Sequence, residues 1–416
     1  MHIFTLIFLA ALILTTLTQL WLGLRHTRHI AAHREQVPSG FADSISLDAH
    51  RKAADYSVAK TKLGLVNAVF GAVVLLALTL GGGLDLLHDW LSRLFNMGGY
   101  AYGVALIGGV ALLYGALELP FNVYRVFVIE ARFGFNRMTW KLFLIDMVKQ
   151  AVLAAAIGAP LLLLVLWLMQ RMGANWWFYV WIVWMGFNLL LLVIYPSVIA
   201  PLFNKFTPLD DEALRARIER LLTRCGFKSH GLFVMDSSRR SSHGNAYFTG
   251  FGAAKRIVLF DTLIRSLEPA EVEAVLAHEL GHFKHHHVIK RIALLFVMSL
   301  GFLWLLGFLM NEPWFYAALD VSAPGTAMAL ILFFLVMPVF TFALQPLSSL
   351  YSRKHEFEAD AYAARQAEAT DLVHALTKLY KDNASTLTPD PLHSAFYDSH
   401  PPAAMRIARL QAMNPA

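Results

Sequence analysis

The chain has 416 residues, of which 57% are hydrophobic and only 15% charged, with a mean hydropathy of +0.52. Soluble domains carry roughly 25% charged residues, so this composition excludes an ordinary soluble globular protein and points to a polytopic membrane protein. The net charge of +6 calls for no nucleic-acid partner, because basic residues concentrate in the cytoplasmic loops of membrane proteins. The single cysteine, Cys225, rules out an intramolecular disulfide framework and suits a reducing compartment.

A spanning helix needs about 20 mostly apolar residues. Seven segments meet this length: 3–24, 63–83, 100–120, 144–169, 176–200, 291–310 and 326–346. The first lacks a basic n-region and a small-residue cleavage site, so it is expected to remain as a span. Lys and Arg alternate between rich and poor loops. The loop after span one carries Arg25, Arg28, Arg34, Arg51, Lys52 and Lys60, and the loop after span three carries Arg125, Arg132, Arg137 and Lys141. The regions after spans five and seven are also basic, whereas the remaining loops hold one basic residue or none. This pattern predicts an outside N-terminus and a cytosolic C-terminus. The chain then divides into spans one to five (1–203), a polar unit (204–289), spans six and seven (290–346) and a helical C-terminal part (347–416).

The polar unit reads as a small α+β fold. Asp210 and Asp211 can cap a helix whose apolar stripe is Leu214, Ile218, Leu221 and Leu222, and Gly226 can end it. "GLFVMD" (231–236) reads as a strand, and "NAYFTGF" (245–251) with "RIVLFD" (256–261) as a hairpin turning at "GAAK". A helix with Pro269 in its first turn then carries "HELGH".

HExxH is a zinc-hydrolase pattern because residues i and i+4 share one helix face. His278 and His282 can aim ring nitrogens at one metal, and Glu279 can take a proton from a metal-bound water. A catalytic zinc needs a third protein ligand. The metzincin pattern requires Gly at 285 and His at 288, but His285 and Val288 stand there. This leaves a distant carboxylate or one of His285 to His287. The best carboxylates lie in "RKHEFEAD", where Glu356 and Asp360 share a helix face and Glu358 points elsewhere. Glu356 is expected to be the ligand, with Asp360 hydrogen-bonding a ligand histidine. His285, His286 and His287 read as a solvated or interfacial face. If both motif stretches stay helical, His282 and Glu356 each lie roughly 14 Å past a span boundary, on the same side of the membrane. A transporter or receptor with a structural metal would predict charges within the spans. Only Glu118 and Asp146 approach that, both near predicted span ends.

Further stretches extend the pattern: "EARFGFNRMT" (130–139), "YPSVIAPLFNKFTPL" (195–209), "SSHGNAYFTGF" (241–251), "RIVLFDTLI" (256–264) and "SHPPAAMRI" (399–407). With "HELGH" and "EFEAD", they cover most of the chain. On these motifs the protein resembles the CAAX prenyl protease 1 family of membrane zinc metalloendopeptidases, and a bacterial member is expected. Membrane quality-control proteases of the heat-shock type share the zinc motif and ExxxD but are shorter and lack the upstream spans.

The resemblance implies a mainly α fold in which seven tilted helices enclose an intramembrane chamber. A small α+β gluzincin-type zinc protease domain would sit on its cytosolic side. It implies one Zn2+ on His278, His282 and Glu356, and activation of water by Glu279. His400 would donate to the developing oxyanion, and Arg406 would support the site behind the ligands. Asn245, Ala246 and Tyr247 would lie along the substrate backbone. The expected partners are the bilayer and peptide or protein substrates, lipidated ones among them, acted on by a monomer.

Overall fold

The computed structural model describes residues 2–229, 231–249 and 256–413. Seven of its helices are long and apolar enough to cross a membrane, in the places where the sequence predicts spans: Ile3–Ala32, Leu47–Leu78, Tyr100–Glu130, Trp140–Arg171, Gly173–Phe203, His287–Leu309 and Thr326–Gln366. The first two, α1 (Ile3–Ala32) and α2 (Leu47–Leu78), overrun the bilayer as a helical hairpin. Ser46 caps α2 through Ala49 N–H at 3.3 Å, and Arg34 bridges to Asp55 at 2.8 Å. Arg25, Arg28, Arg51, Lys52 and Lys60, expected in a loop, therefore sit on helical extensions.

A short α3 (Gly83–Ser92) leads to α4 (Tyr100–Tyr124), which ends in a π-helical turn at Arg125–Glu130. Helix α5 (Trp140–Arg171) is capped by Thr139. Helix α6 (Trp176–Ile194) passes through a second π-helical turn into α7 (Ala200–Phe203).

Burial along the spans is uneven. Among the described residues, none is buried in 58–74 of α2, 111–128 across α4 and its π turn, or 147–165 of α5. The same holds for 181–198 across α6 and its π turn, and for 288–305 of span six. Each stretch is about 25–28 Å long at 1.5 Å per residue. A filled bundle would bury one face of every helix along its length. Here the middles of five spans are only partly covered, with contacts such as Trp181 Nε1 donating to the Phe296 carbonyl at 2.8 Å and Phe70 against Phe121. The buried residues gather at the two ends. One end is closed by an apolar cluster that includes Phe8, Leu78, Leu106, Leu166, Leu306 and Phe315. The other end is closed by the polar part of the chain.

That part contains α8 (Glu212–Arg224), which Asp211 caps through Leu214 N–H and Gly226, at φ +64°, ends in the left-handed region. Four strands, β1 (Phe206–Pro208), β2 (Leu232–Met235), β3 (Ala246–Thr249) and β4 (Arg256–Phe260), form one sheet in the order β1-β2-β4-β3. The predicted hairpin is present as antiparallel β3 and β4, with Ala246 opposite Leu259 and Tyr247 opposite Val258. Strand β2 runs parallel to β4, and β3 is an edge. The expected turn at 252–255, with Gly250 and Phe251, lies outside the described residues.

Next come α9 (Asp261–Ser266), α10 (Pro269–Lys284), α11 (His287–Leu309), α12 (Pro313–Ala317), α13 (Thr326–Thr341), α14 (Gln345–Gln366), α15 (Ala369–Asp382), α16 (Pro391–Tyr397) and α17 (Ala403–Met413). One apolar core joins Leu214 and Ile218 of α8 and Ile257 and Leu259 of β4 to Leu276 and Leu280 of α10. It also takes in Tyr362, Leu376 and Leu410 from the C-terminal helices. The polar unit and the C-terminal part thus share a core. Span seven runs without a break from α13 through a tight turn of helix into α14.

The expectation of a matching continuous helix into span six is corrected. Helix α10 stops at Lys284, and His286 takes a left-handed φ of +56° before α11 begins at His287. No α-helical hydrogen-bond ladder runs through such a residue. Equal depth of the two motifs therefore cannot be reckoned along two straight helices.

Candidate metal centre

Helix α10 is held by polar contacts at its start and by close packing at its end. Glu268 and Glu271 form a reciprocal capping box, with Pro269 at the first helical position. Glu271 also accepts from Lys378 Nζ at 2.8 Å, and Glu273 pairs with Arg217 and with Arg224 at 3.0 Å. The helix is thereby tied to α8 and α15. Toward its end, Gly281 lies against α14. A Cβ at this position would come 2.8 Å from Ala359 Cα and 3.0 Å from its carbonyl oxygen. The absent side chain lets the two helices approach where His278 and His282 face Glu356.

The three polar tips converge. His278 Nε2 is 3.4 Å from Glu356 Oε2, His282 Nε2 is 3.4 Å from Glu356 Oε1, and the two Nε2 atoms are 3.2 Å apart. Ligand atoms 2.0–2.1 Å from a tetrahedral zinc are about 3.3–3.4 Å from one another. The spacing, the borderline-soft N2O donor set and the near-perpendicular imidazoles (82°) all suit one such ion. Glu356 is 1% exposed, and its Oε2 faces three nitrogens: His400 Nδ1 at 2.8 Å, His278 Nε2 at 3.4 Å and Arg406 Nη1 at 3.7 Å. A buried carboxylate carries a large desolvation penalty, and positive charge at this point offsets it.

The surroundings orient these groups. His278 Nδ1 is 2.9 Å from Asp360 Oδ1, and Arg406 holds both Asp360 oxygens at 2.6 and 2.9 Å. Arg406 also approaches Glu356 Oε2 at 3.7 Å. Burial by itself lowers the His278 pKa, but its hydrogen bonds to Asp360 and Glu356 outweigh this and raise it to about 9. Without metal, His278 is therefore an imidazolium between two carboxylates. Glu279 stands next to it on α10, half-buried.

The structure thus gathers His278, His282, Glu356, Asp360, Arg406 and His400. His400 Nδ1 lies 2.8 Å from Glu356 Oε2, with 61% of its side chain exposed. Asn245, Ala246 and Tyr247 lie at the start of the edge strand, which packs against α10. Asn245 is exposed, and its backbone carbonyl accepts from Phe260 N–H at 3.0 Å. The approach to this strand is clasped by the loop after span three. Asn136 bridges to Ser241, Ser242 N–H donates to the Phe135 carbonyl, and His243 Nε2 lies 3.4 Å from Glu130. Asp146, buried on α5, binds Arg240 through two contacts of 2.8 and 3.0 Å. It is a structural anchor rather than part of a path through the membrane.

One expectation fails here. His287 is not on a solvated face: it is 1% exposed and bonded to His282 and Glu358. The left-handed His286 turns it inward. The sequence signal was present, as a histidine run just after the motif, but its direction depends on that one backbone angle.

A metal-suited HExxH helix packed on an ExxxD helix, beneath seven apolar spans, defines a membrane-embedded metallopeptidase of the gluzincin type. Two family models cover most of the chain. The CAAX prenyl protease N-terminal model, described as five membrane helices, matches residues 26–205, and the peptidase family M48 model matches 208–414. The chain is 35% identical over 400 residues to CAAX prenyl protease 1 of Saccharomyces cerevisiae, covering 90% of this chain and 88% of that one. It is 31% identical over 454 residues to the human CAAX prenyl protease 1 homolog, covering 98% and 96%. The crystal structure of S. mikatae Ste24p superposes with a TM-score of 0.92 at 32% identity, covering 99% of both chains. The chain belongs to the CAAX prenyl protease 1 family of M48 metallopeptidases. These relatives are eukaryotic and give no support to the expected bacterial source.

Proposed function

We propose that the protein is a zinc endopeptidase whose metal is held by His278, His282 and Glu356, and that it cleaves peptides reaching it from an intramembrane chamber. The observation that carries this reading is the ligand triangle of 3.2, 3.4 and 3.4 Å among His278, His282 and Glu356. When bound, the zinc supplies Lewis acidity that polarises water and the scissile carbonyl.

The chain's own groups do the rest. Asp360, braced by Arg406, keeps the proton of His278 on Nδ1, so Nε2 presents its lone pair. The Glu279 carboxylate accepts a proton from the attacking water and returns it to the amine nitrogen as the peptide bond breaks. The His400 ring donates from Nε2 to the oxyanion that forms. The free edge of β3, from Asn245 through Tyr247, pairs with an extended substrate backbone by strand addition. The unburied middles of five spans support a hollow interior that delivers this substrate. The basic loops support a cytosolic site and an outside N-terminus. We propose that the chain acts as a monomer, without nucleic acid. The four segments 1–203, 204–289, 290–346 and 347–416 are its working parts.

The names of the relatives direct the substrate test to C-terminal CAAX peptides carrying a prenyl group. The purified protein is assayed with a farnesylated CAAX peptide and its unprenylated twin, with and without a chelator. Cleavage of the lipidated peptide that stops on chelation and returns with zinc supports the reading. Equal cleavage of both peptides would redirect the substrate class to unfolded segments in general. Chelator-insensitive cleavage would overturn the metal mechanism.

A further inference from the structure

His282 lies in the last turn of α10, two residues before the helix ends. It lacks the direct carboxylate contact that His278 has with Asp360. Its Nδ1 instead faces His287 Nδ1 at 2.9 Å, and His287 Nε2 faces Glu358 Oε2 at 2.8 Å. Only one proton arrangement satisfies both contacts and leaves His282 Nε2 open to a metal. His282 carries its proton on Nδ1 and donates it to His287 Nδ1. His287 must then carry its own proton on Nε2 and donate to the carboxylate. We propose that His287 is a positioning residue, which with Glu358 forms a two-step relay that fixes the tautomer and ring angle of the metal ligand His282.

The backbone and the packing both serve this arrangement. On a continuous helix, a residue five after His282 would lie about 140° around the axis, facing away. The left-handed His286 breaks the helix and turns His287 back. His355 stacks on the His287 ring at 3.9 Å and 10°, and Tyr351 abuts His355 edge-on, so the ring plane is held. The same residues could be taken for a second cation site, since ligand atoms of His287, His355 and Glu358 lie within 4.8 Å of one another. Two facts weigh against that. Both His287 nitrogens are already engaged, and the lone pairs of stacked rings run parallel rather than converge.

The relay rests on the metal reading at His278, His282 and Glu356, and the test separates the two. Full-length protein, wild type and variants, is loaded with Zn2+ or Co2+. Metal retention against a competing chelator and the visible cobalt spectrum are then recorded. Loss of an outer hydrogen-bond partner of a ligand histidine costs about 10- to 100-fold in metal affinity. His287→Phe keeps the stacked ring and should lose that much, with a shifted cobalt spectrum. His287→Asn, whose amide oxygen can replace Nδ1 as acceptor, should recover most of it. Glu358→Gln should weaken retention several-fold in the wild type and not at all in the His287→Asn background, where the second step is already cut. Partly exposed Glu358 tolerates this change, so that comparison holds even if His287→Phe fails to fold. Wild-type retention in His287→Phe, or an equal effect of Glu358→Gln in both backgrounds, would overturn the relay. So would a second equivalent of zinc that depends on His287. A wild-type protein that binds no zinc would instead overturn the metal reading itself.

Discussion

Substituting Gly281 by alanine tests whether helix approach sets the ligand triangle. The added Cβ would lie 2.8 Å from Ala359 Cα, 3.0 Å from its carbonyl oxygen and 3.2 Å from its Cβ, whereas ordinary contact begins at 3.4 Å. These neighbours are backbone or a stub attached to it, so they cannot rotate away. Helices α10 and α14 must therefore separate by about 0.4–0.6 Å, the shortfall from ordinary contact in this overpacked core. Glu356 rides on α14, so its 3.4 Å distances to the two imidazoles would grow toward about 4 Å. That exceeds the roughly 3.4 Å that a tetrahedral zinc with 2.0–2.1 Å bonds can bridge. Overpacking costs about 1–3 kcal/mol, but alanine gains about 1 kcal/mol over glycine in a helix interior. The net loss of stability is about 0–2 kcal/mol. Zinc affinity should fall about 10- to 100-fold, the range seen when a metal site loses its supporting geometry. The assay pairs a melt of the metal-free protein with zinc retention under graded chelator. A Gly281→Ala protein that melts near wild type and holds zinc within twofold of it would refute the argument that this contact sets the site.

Glu279→Gln should retain zinc and lose about 10²- to 10⁴-fold in kcat, the usual contribution of a general base; metal content measured beside turnover checks it. Arg406→Leu removes one of the two cationic partners of buried Asp360 and leaves it His278; breaking a buried pair costs up to about 3–5 kcal/mol, and the loss should show as a lowered melting temperature in the metal-free protein. His278, raised to about 9, must give up a proton to ligate metal. Zinc titrated into chelated protein at pH 7 should release close to one proton from this group, and affinity should climb with pH until about 9. The sign for stability is opposite: the group favours the metal-free fold fully below about pH 6.5 and ceases to as pH rises through 9. A melting temperature of chelated protein that did not fall between pH 7 and 9.5, after correction with His278→Gln, would count against this assignment.

Much of this protein follows from sequence alone because its signals are local. Twenty-residue apolar runs must be helices in lipid, where every backbone polar group needs an internal partner, so the seven spans are legible without a fold. HExxH is equally local: the helical repeat by itself puts His278 and His282 on one face. The pairing of Glu356 with them came from the ExxxD motif, since the break at His286 removes the depth reckoning, and tertiary structure alone set the contact distances, through the Gly281–Ala359 approach.

Where the sequence reading went astray, a single backbone angle or a burial pattern decided. His286 at φ +56° breaks the helical path from the motif into span six, and it turns His287 from the expected solvated face onto His282. Hydrophobic periodicity does not distinguish a span facing a neighbour from one facing an empty interior. The unburied middles of α2, α5 and α11 therefore became visible only with all seven helices in place. Composition determined that this is a membrane protein, the helical repeat put His278 and His282 on one face, and the motifs along the chain gave the metallopeptidase reading with Glu356 as the expected third ligand. Three-dimensional packing decided how close those residues come and which neighbours surround them, because these depend on contacts between residues far apart in the chain.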